Sequence, residues 1–486
     1  MNRLHSWSYL LVTFALTAGP CASQTNDRQP NILFAMADDW GWPHAGAYGD
    51  EVVKTPTFDR LCREGVRFEH AYVSSPSCTP SRNAILTGQA FYRLGEGANL
   101  HSTLSIEHPT FVRLLQEHGY RVGHWRKAWG PGNAKAGGYK SNPCGPNSTF
   151  AKFLEESPNN TPFCFWFGTS DPHRGYKRHS GREAGIDPSK VHVPAFLPDN
   201  EDVRGDIADY YFEVQRWDRE VGEALALLEA RGELDNTIVV MTGDHGMPFP
   251  RCKGNLYDWG ARVPLAVRWG DKVRAGREVS SFVSLTDLAP TFLAAAGVAI
   301  PEVMTGVSLM QALTDDGAAG RAFVTFGRER HTPAQKMPSL DGYPSRAIRQ
   351  DQWLLILNLE PDRWPAGVPE GASHPMSRHS DCDNGPTKGQ ILADLKSEAG
   401  ARFYELCFGI RPAVELYDTR VDPDQVTNLA LDPKHKVLME KLRHQLVTEL
   451  ARTQDPRVVG NNGAAFDGYP YRAGYLKKHL KKHGHR

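Results

Sequence analysis

Asn31-Ile32-Leu33-Phe34-Ala35-Met36-Ala37-Asp38-Asp39-Trp40 is a short apolar run that ends abruptly in two carboxylates. A run of this length reads as a buried parallel strand whose carboxyl end carries polar residues. Two later segments repeat the pattern, PFCFWFGTSDPH at 162–173 and NTIVVMTGDHG at 236–246, each an apolar run closed by acidic or imidazole side chains. Between them Tyr210, Val214, Trp217, Val221, Ala224 and Leu228 recur at helical spacing and predict a helix over 206–231. Alternating strands and helices argue for an α/β sheet. Sites in such sheets form beyond the carboxyl ends of the strands, so the three polar tips are expected to meet in one place.

Farther along, from about Asp316, the texture changes to shorter β-rich runs, RAFVTFGRE and RAIRQDQWLLILNLE, joined by Pro- and Gly-rich connections such as DRWPAGVPEGASHP. The expected organisation is a catalytic domain over 28–315, a smaller α+β domain with an antiparallel sheet over 316–450, and a basic tail over 451–486. The tail ends in YLKKHLKKHGHR, which reads as a solvated terminus. A chain of 486 residues has material for two cores. Its 56 Lys and Arg balance 56 Asp and Glu, which argues against a nucleic-acid binder and makes any site for an anion a local cluster.

Residues 1–23 carry Arg3 and His5, an apolar run from Trp7 to Ala18 and small residues at Ala22 and Ser23, the pattern of a cleaved signal peptide. Export follows as an expectation, to a secreted or periplasmic location, or to the lysosome in an animal. A lipoprotein site at Cys21 is the weaker alternative, and the run is too short to span a bilayer. In an exported chain some cysteines pair, with Cys144–Cys164 and Cys382–Cys407 as the candidates.

Asp38 and Asp39 at one strand end and Asp244 and His245 at another gather hard oxygen donors and one imidazole, a set suited to Ca²⁺ or Mg²⁺. Paired acids at a strand end also occur as turns and caps. The segment SSPSCTPSRNAILTG at 74–88 adds a distinct pattern, because Cys78-Thr79-Pro80-Ser81-Arg82 matches C-x-P-S-R. With this motif the chain resembles the formylglycine-dependent (type I) sulfatases of the alkaline-phosphatase-like superfamily, and within them the heparan N-sulfatase-like branch. ADDWG, SDPHRGY, GDHGMPFPRCKGNLYDWGARVPL, GYPSRAIR and ELYDTRVDPDQVTNLA carry the rest of the likeness.

The resemblance implies a large mixed sheet sandwiched by helices. It implies that Cys78 is oxidised to formylglycine by a maturation enzyme, and that the aldehyde hydrate supplies the hydroxyl that attacks sulfur. One Ca²⁺ per chain would be bound by Asp38, Asp39, Asp244, His245 and an oxygen of modified Cys78. Arg82, Lys127, His173 and Lys253 would contact the nucleophile or the sulfate, with His173 as proton donor to the leaving group. One departure stands out: many sulfatases carry G-K-x-H where this chain has Arg126-Lys127-Ala128-Trp129, so the usual histidine base is absent and His101 or His124 becomes the candidate. In the second domain Arg328, Glu329, Arg330, His331, Tyr343, Arg346, Arg363 and Trp364 are candidates for holding a sulfated sugar, an inter-domain salt-bridge surface being the alternative. The expected activity is hydrolysis of sulfate esters or sulfamates of a sulfated glycan. A phosphoester or phosphonate hydrolase, or a non-catalytic sulfoglycan-binding protein, is the alternative.

Overall fold

The computed structural model describes residues 28–158, 160–315, 320–336, 339–371, 378–460 and 463–473. The signal segment at 1–23, with Cys21, and the YLKKHLKKHGHR terminus lie outside the described residues. Strands β1 (Asn31–Ala37), β2 (Val66–Tyr72), β3 (Arg121–Trp125), β4 (Phe163–Gly168), β5 (Thr237–Gly243), β6 (Leu265–Arg268) and β7 (Arg277–Ser284) make one sheet in the order β3-β4-β1-β5-β6-β2-β7. Neighbours among β3, β4, β1 and β5 are parallel. Strand β6 runs antiparallel to both β5 and β2, which makes the sheet mixed.

Helices α1 (Pro56–Glu64), α2 (Cys78–Thr87), α3 (Phe111–Glu117), α4 (Glu201–Ala230) and α5 (Leu288–Ala295) cover the two faces. Because side chains alternate along a strand, β1 feeds two cores. Ile32, Phe34 and Met36 pack with Ile85, Leu86, Phe111, Leu115 and Phe292. Leu33, Ala35 and Ala37 pack with Phe58, Leu61, Tyr210, Val214, Trp217 and Val221. Burial on both sides explains why β1 is apolar throughout, each large side chain contributing about 1.5–3 kcal/mol. The helix predicted over 206–231 starts earlier, at Glu201, because Asn200 caps it by accepting from the Val203 N–H at 3.0 Å.

Strands β8 (Phe323–Arg328), β9 (Ser345–Gln350), β10 (Trp353–Asn358) and β11 (Val414–Asp418) form an antiparallel sheet in the order β11-β10-β9-β8. One face carries Ile348, Leu355, Leu357 and Leu416 against Leu442, Leu446 and Leu450 of α6 (Lys436–Arg452). Its other face, with Phe326, Ala347, Leu354 and Ile356, joins the core that contains Phe34. The small sheet is therefore fused to the large one. Described residues beyond α6 also pack: Phe466 and Tyr471 are buried, and Arg472 pairs with Glu96.

The cysteine pairs named as candidates for an exported chain are corrected. Cys144, Cys164, Cys382 and Cys407 are all free thiols, buried like the other described cysteines. Cys407 donates to the Phe196 carbonyl at 3.3 Å and Cys382 to the Asp383 carbonyl at 3.6 Å. They behave as small core residues with weak S–H donors, and burial pushes both thiols up to about 12.

Candidate active site

The carboxyl ends of β1, β5, β4 and β3 lie along one edge of the sheet, so residues scattered over the sequence converge there. Asp38 and Asp39 follow β1, Asp244 and His245 follow β5, His173 follows β4 and Lys127 follows β3. Glycines at two strand ends allow the loops to close over them: a Cβ would sit 2.1 Å from the Lys127 carbonyl at Gly168 and 2.1 Å from the Trp40 carbonyl at Gly243. Cys78 is the first residue of α2, and its N-terminal turn abuts these tips.

Cys78 Sγ lies 3.3 Å from His245 Nε2, 3.4 Å from Lys127 Nζ, 3.6 Å from Asp38 Oδ1 and 4.0 Å from Asp39 Oδ1. Lys127 Nζ donates to both oxygens of Asp38 at 2.6 Å, and Lys253 Nζ donates to Asp39 Oδ2 at 2.8 Å. Arg82 is fully buried and acts as a brace: its Nε donates to Asp244 Oδ2 at 2.9 Å, and one terminal nitrogen donates to the carbonyls of Lys127 and Ala128, both at 2.9 Å. Asp39 adopts φ +71°, an uncommon value for a non-glycine residue. That backbone aims its N–H at Asp244 Oδ1, 2.9 Å away. His173 Nε2 is 4.0 Å from Asp39 Oδ2, and its Nδ1 donates to the Arg174 carbonyl at 2.5 Å.

Charge organises this cluster. Burial alone would raise the Asp38 carboxyl, but Lys127, His173, Arg82 and Lys253 outweigh it and hold the group well below the usual carboxylate range. Burial, reinforced by Asp38 and Asp244, pushes the Cys78 thiol well up despite Lys127. Three buried carboxylates thus face three fixed cations, Arg82, Lys127 and Lys253.

The donor set fits a hard cation. His245 Nδ1 donates to the Gly246 carbonyl at 3.0 Å, which leaves the Nε2 lone pair facing Asp39 Oδ1 at 3.2 Å and Asp244 Oδ1 at 3.6 Å. A neutral imidazole in that tautomer puts acceptor against acceptor, an arrangement that a cation between them relieves. Oxygen-rich ligation with a single imidazole suits Ca²⁺ or Mg²⁺ better than a thiophilic metal. The groups Asp39–Cys78–His245 and Asp38–Cys78–Asp244 each offer ligand atoms within 4.8 Å of one another.

Most second-domain residues expected at the substrate are elsewhere, and that expectation is corrected. Arg328 is buried against Asp381 at 2.6 Å and also bonds the Gly254 carbonyl. Arg346 joins Glu329 at 2.8 Å and Asp455 at 2.5 Å, and Arg457 closes the same network onto Glu329 at 2.6 Å. Arg363 pairs with Asp467 at 3.0 Å, Arg330 bonds the Tyr469 carbonyl at 2.9 Å, the Trp364 carbonyl accepts from Gln335, and Tyr343 is buried. These groups bind internal carboxylates and carbonyls, and because Asp381, Glu329, Asp455 and Asp467 all lie in the C-terminal part of the chain, the ion pairs are not the inter-domain surface that was the alternative either. His331 does reach the site: its Nδ1 lies 2.8 Å from Ser77 Oγ, beside Cys78.

Sequence reasoning missed Asp383, whose Oδ2 lies 3.0 Å from Lys253 Nζ. It stands in an irregular connection with no motif around it, and nothing local marks it. Trp129 is a packing residue, buried, its indole N–H donating to Asn83 Oδ1 at 2.7 Å. Of the two histidines considered in its stead, His124 has its Nδ1 tied to the Gly145 carbonyl at 2.9 Å. His101 lies close enough to Lys127 and Lys253 for their charges, added to burial, to lower its imidazole to about 4.

With this geometry in place, the comparisons with known proteins decide the family. The family model described as sulfatase matches residues 30–298, and a second, described as N-sulphoglucosamine sulphohydrolase, C-terminal, matches 243–360. The chain belongs to the sulfatase family. The human N-sulphoglucosamine sulphohydrolase is 30% identical to it over 483 residues, covering 90% of this chain and 93% of that protein. An ulvan-active sulfatase from Formosa agariphila is 26% identical, covering 86% of this chain and 74% of that one. Among solved structures, a complex with its substrate D-glucosamine-2-N,6-O-disulfate superposes with a TM-score of 0.63 at 20% identity, over 89% of this chain and 99% of that one. As a sulfatase the chain is a sulfuric ester hydrolase, and the cluster around Cys78 is its candidate active site.

Proposed function

We propose that this sulfatase hydrolyses sulfate esters or sulfamates of a sulfated glycan and releases inorganic sulfate, using formylglycine made from Cys78 and Ca²⁺ held by Asp38, Asp39, Asp244 and His245. One observation carries the reading: Cys78 is buried at the start of α2 with His245, Lys127, Asp38 and Asp39 all within 4.0 Å of its sulfur. A thiol raised in this way is a poor nucleophile, whereas an oxygen at the same point is well placed. When bound, the two groups supply that oxygen and a divalent charge. The human N-sulphoglucosamine sulphohydrolase and the ulvan-active sulfatase support a sulfated sugar as substrate. Export through residues 1–23 and a formylglycine-generating partner belong to the same proposal.

The remaining demands fall on the chain's own residues. Asp38, Asp39, Asp244 and Asp383 already outnumber Arg82, Lys127 and Lys253, so the added negative charge of a sulfate anion and an ionised nucleophile calls for the positive charge that a divalent ion would supply. Lys127 and Lys253 hold the sulfate beside the metal ligands. His173 holds its Nδ1–H on the Arg174 carbonyl, which turns Nε2 toward the site, 4.0 Å from Asp39 Oδ2, where a proton carried on it would pass to the departing oxygen or nitrogen. His101, neutral at ordinary pH, takes the proton-accepting part that Trp129 leaves open.

Intact-mass analysis of the Cys78 peptide should show sulfur exchanged for oxygen with loss of two hydrogens. Active protein with unmodified cysteine would sink the mechanism. Calcium chelation should abolish sulfate release, and added calcium should restore it. Comparing 4-nitrophenyl sulfate with its phosphate analogues, alongside defined sulfated oligosaccharides, separates a sulfatase from a phosphoester hydrolase. Converted wild-type protein that binds a sulfated glycan without releasing sulfate would mark a sulfoglycan-binding protein instead.

A further inference from the structure

Asp383 is a carboxylate in the site for which sulfuryl transfer has no use. It lies between β10 and β11, in the second sheet's connection, yet its Oδ2 comes within 3.0 Å of Lys253 Nζ. Lys253 already donates to Asp39, and the contact with Asp383 is an ion pair without hydrogen-bond alignment. Oδ2 is shielded from water and accepts no hydrogen bond from the described residues. The side chain as a whole is 28% exposed, so the carboxylate is neither sealed in the core nor free in solvent. Lys253, His173 and His331 all face it closely enough to hold it ionised, against the effect of burial. His173 marks the side on which the leaving group departs. A partly exposed negative acceptor therefore stands beside Lys253 and His173.

We propose that Asp383 is a specificity-determining residue for the glycan-sulfatase activity proposed above, on which this inference rests: it accepts a hydrogen bond from a hydroxyl or amino group of the leaving sugar and repels a second anionic substituent on that ring. The substrate class this selects is a singly sulfated residue with uncharged hydrogen-bond donors flanking the scissile group. A sulfated neighbour would bring like charges together in a site of low dielectric, whereas a hydroxyl can donate to the exposed part of the carboxylate. Any other sulfate on the ring would then have to be removed first, by a separate sulfate-ester hydrolysis.

The experiment compares glucosamine N-sulfate with glucosamine N,6-O-disulfate, using converted, calcium-loaded wild type and Asp383→Asn. The same two sugars are titrated calorimetrically into calcium-loaded Cys78→Ala protein with and without Asp383→Asn, which reads recognition without turnover. Wild type should favour the monosulfate, and Asp383→Asn should narrow that preference by about 10- to 100-fold, the range of one charge-assisted hydrogen bond. A uniform fall for both sugars would overturn the proposal, because it would mean that Asp383 acts only by positioning Lys253. So would a wild type without preference, or a preference that survives the substitution. Loss of the sulfatase reading looks different: neither sugar releases sulfate from converted wild type, and neither binds the Cys78→Ala protein, which overturns both.

Discussion

Replacing Lys127 by methionine isolates one charge of the site while keeping its apolar stem. In the structure Lys127 Nζ contacts both oxygens of Asp38 at 2.6 Å and Cys78 Sγ at 3.4 Å. After the substitution Asp38, almost fully buried, keeps the Arg82 ion pair at 3.4 Å and the Cys78 sulfur at 3.6 Å. Breaking a buried pair from one side costs about 3–5 kcal/mol, because the remaining charge is left without compensation. Lys127 is 22% exposed, so water recovers part of this and the lower end, about 3 kcal/mol, is the expected loss. A bound cation supplies the missing positive charge, so calcium should restore much of that stability in Lys127→Met while adding less to wild type. Turnover should not recover, because a charge aimed at the transition state is worth about 2.7–4 kcal/mol, or about 100- to 1000-fold in kcat. The assay is urea unfolding with chelator and with calcium, beside sulfate release. A variant as stable as wild type in chelator, or one that calcium returns to full activity, would refute the reasoning.

Other substitutions probe the neighbours of this pair. Arg82→Lys cannot span Asp244 and the carbonyls of Lys127 and Ala128 at once, and each carbonyl left bare costs about 1–3 kcal/mol; a change in unfolding free energy below about 1 kcal/mol would contradict this. His101→Ala should cut steady-state turnover about 100-fold or more while sparing the first release of nitrophenolate, seen as a burst in stopped flow. Unchanged steady-state turnover would remove His101 from the mechanism. His44 is buried against Tyr210, and burial lowers its imidazole to about 4. The native state therefore keeps it neutral while the unfolded chain protonates it near 6.5, and the wild type loses stability as pH falls through that window. The stability gap between wild type and His44→Gln should shift by about 2–3 kcal/mol toward the variant between pH 7 and pH 4, and a gap independent of pH would show that His44 titrates normally.

Much of the site was legible because its signals are local. Apolar runs stopping at Asp38-Asp39 and at Asp244-His245 carry their own meaning, since a strand buried on both faces tolerates polar groups only where it leaves the sheet. Second-domain arginines were misread because their partners are distant in sequence. Arg346 meets Asp455, 109 residues on, and Arg363 meets Asp467, 104 residues on. A guanidinium that has its carboxylate inside the fold is not available to a sulfate. Cys144 and Cys164 were misread in the same way, since spacing says nothing of how two thiols pack.

By itself the sequence determined the strand-and-helix alternation and the chemical inventory of the strand tips, because hydrophobic periodicity and side-chain type are properties of short segments. Tertiary structure alone decided which charges face each other: that Lys127 serves Asp38, that the His245 lone pair points at the carboxylates, and that Asp383 arrives beside Lys253 from the connection between β10 and β11. The physical reason is range. Periodicity acts over a few residues, whereas Coulomb and hydrogen-bond terms depend on distances in space that only the packed sheet sets.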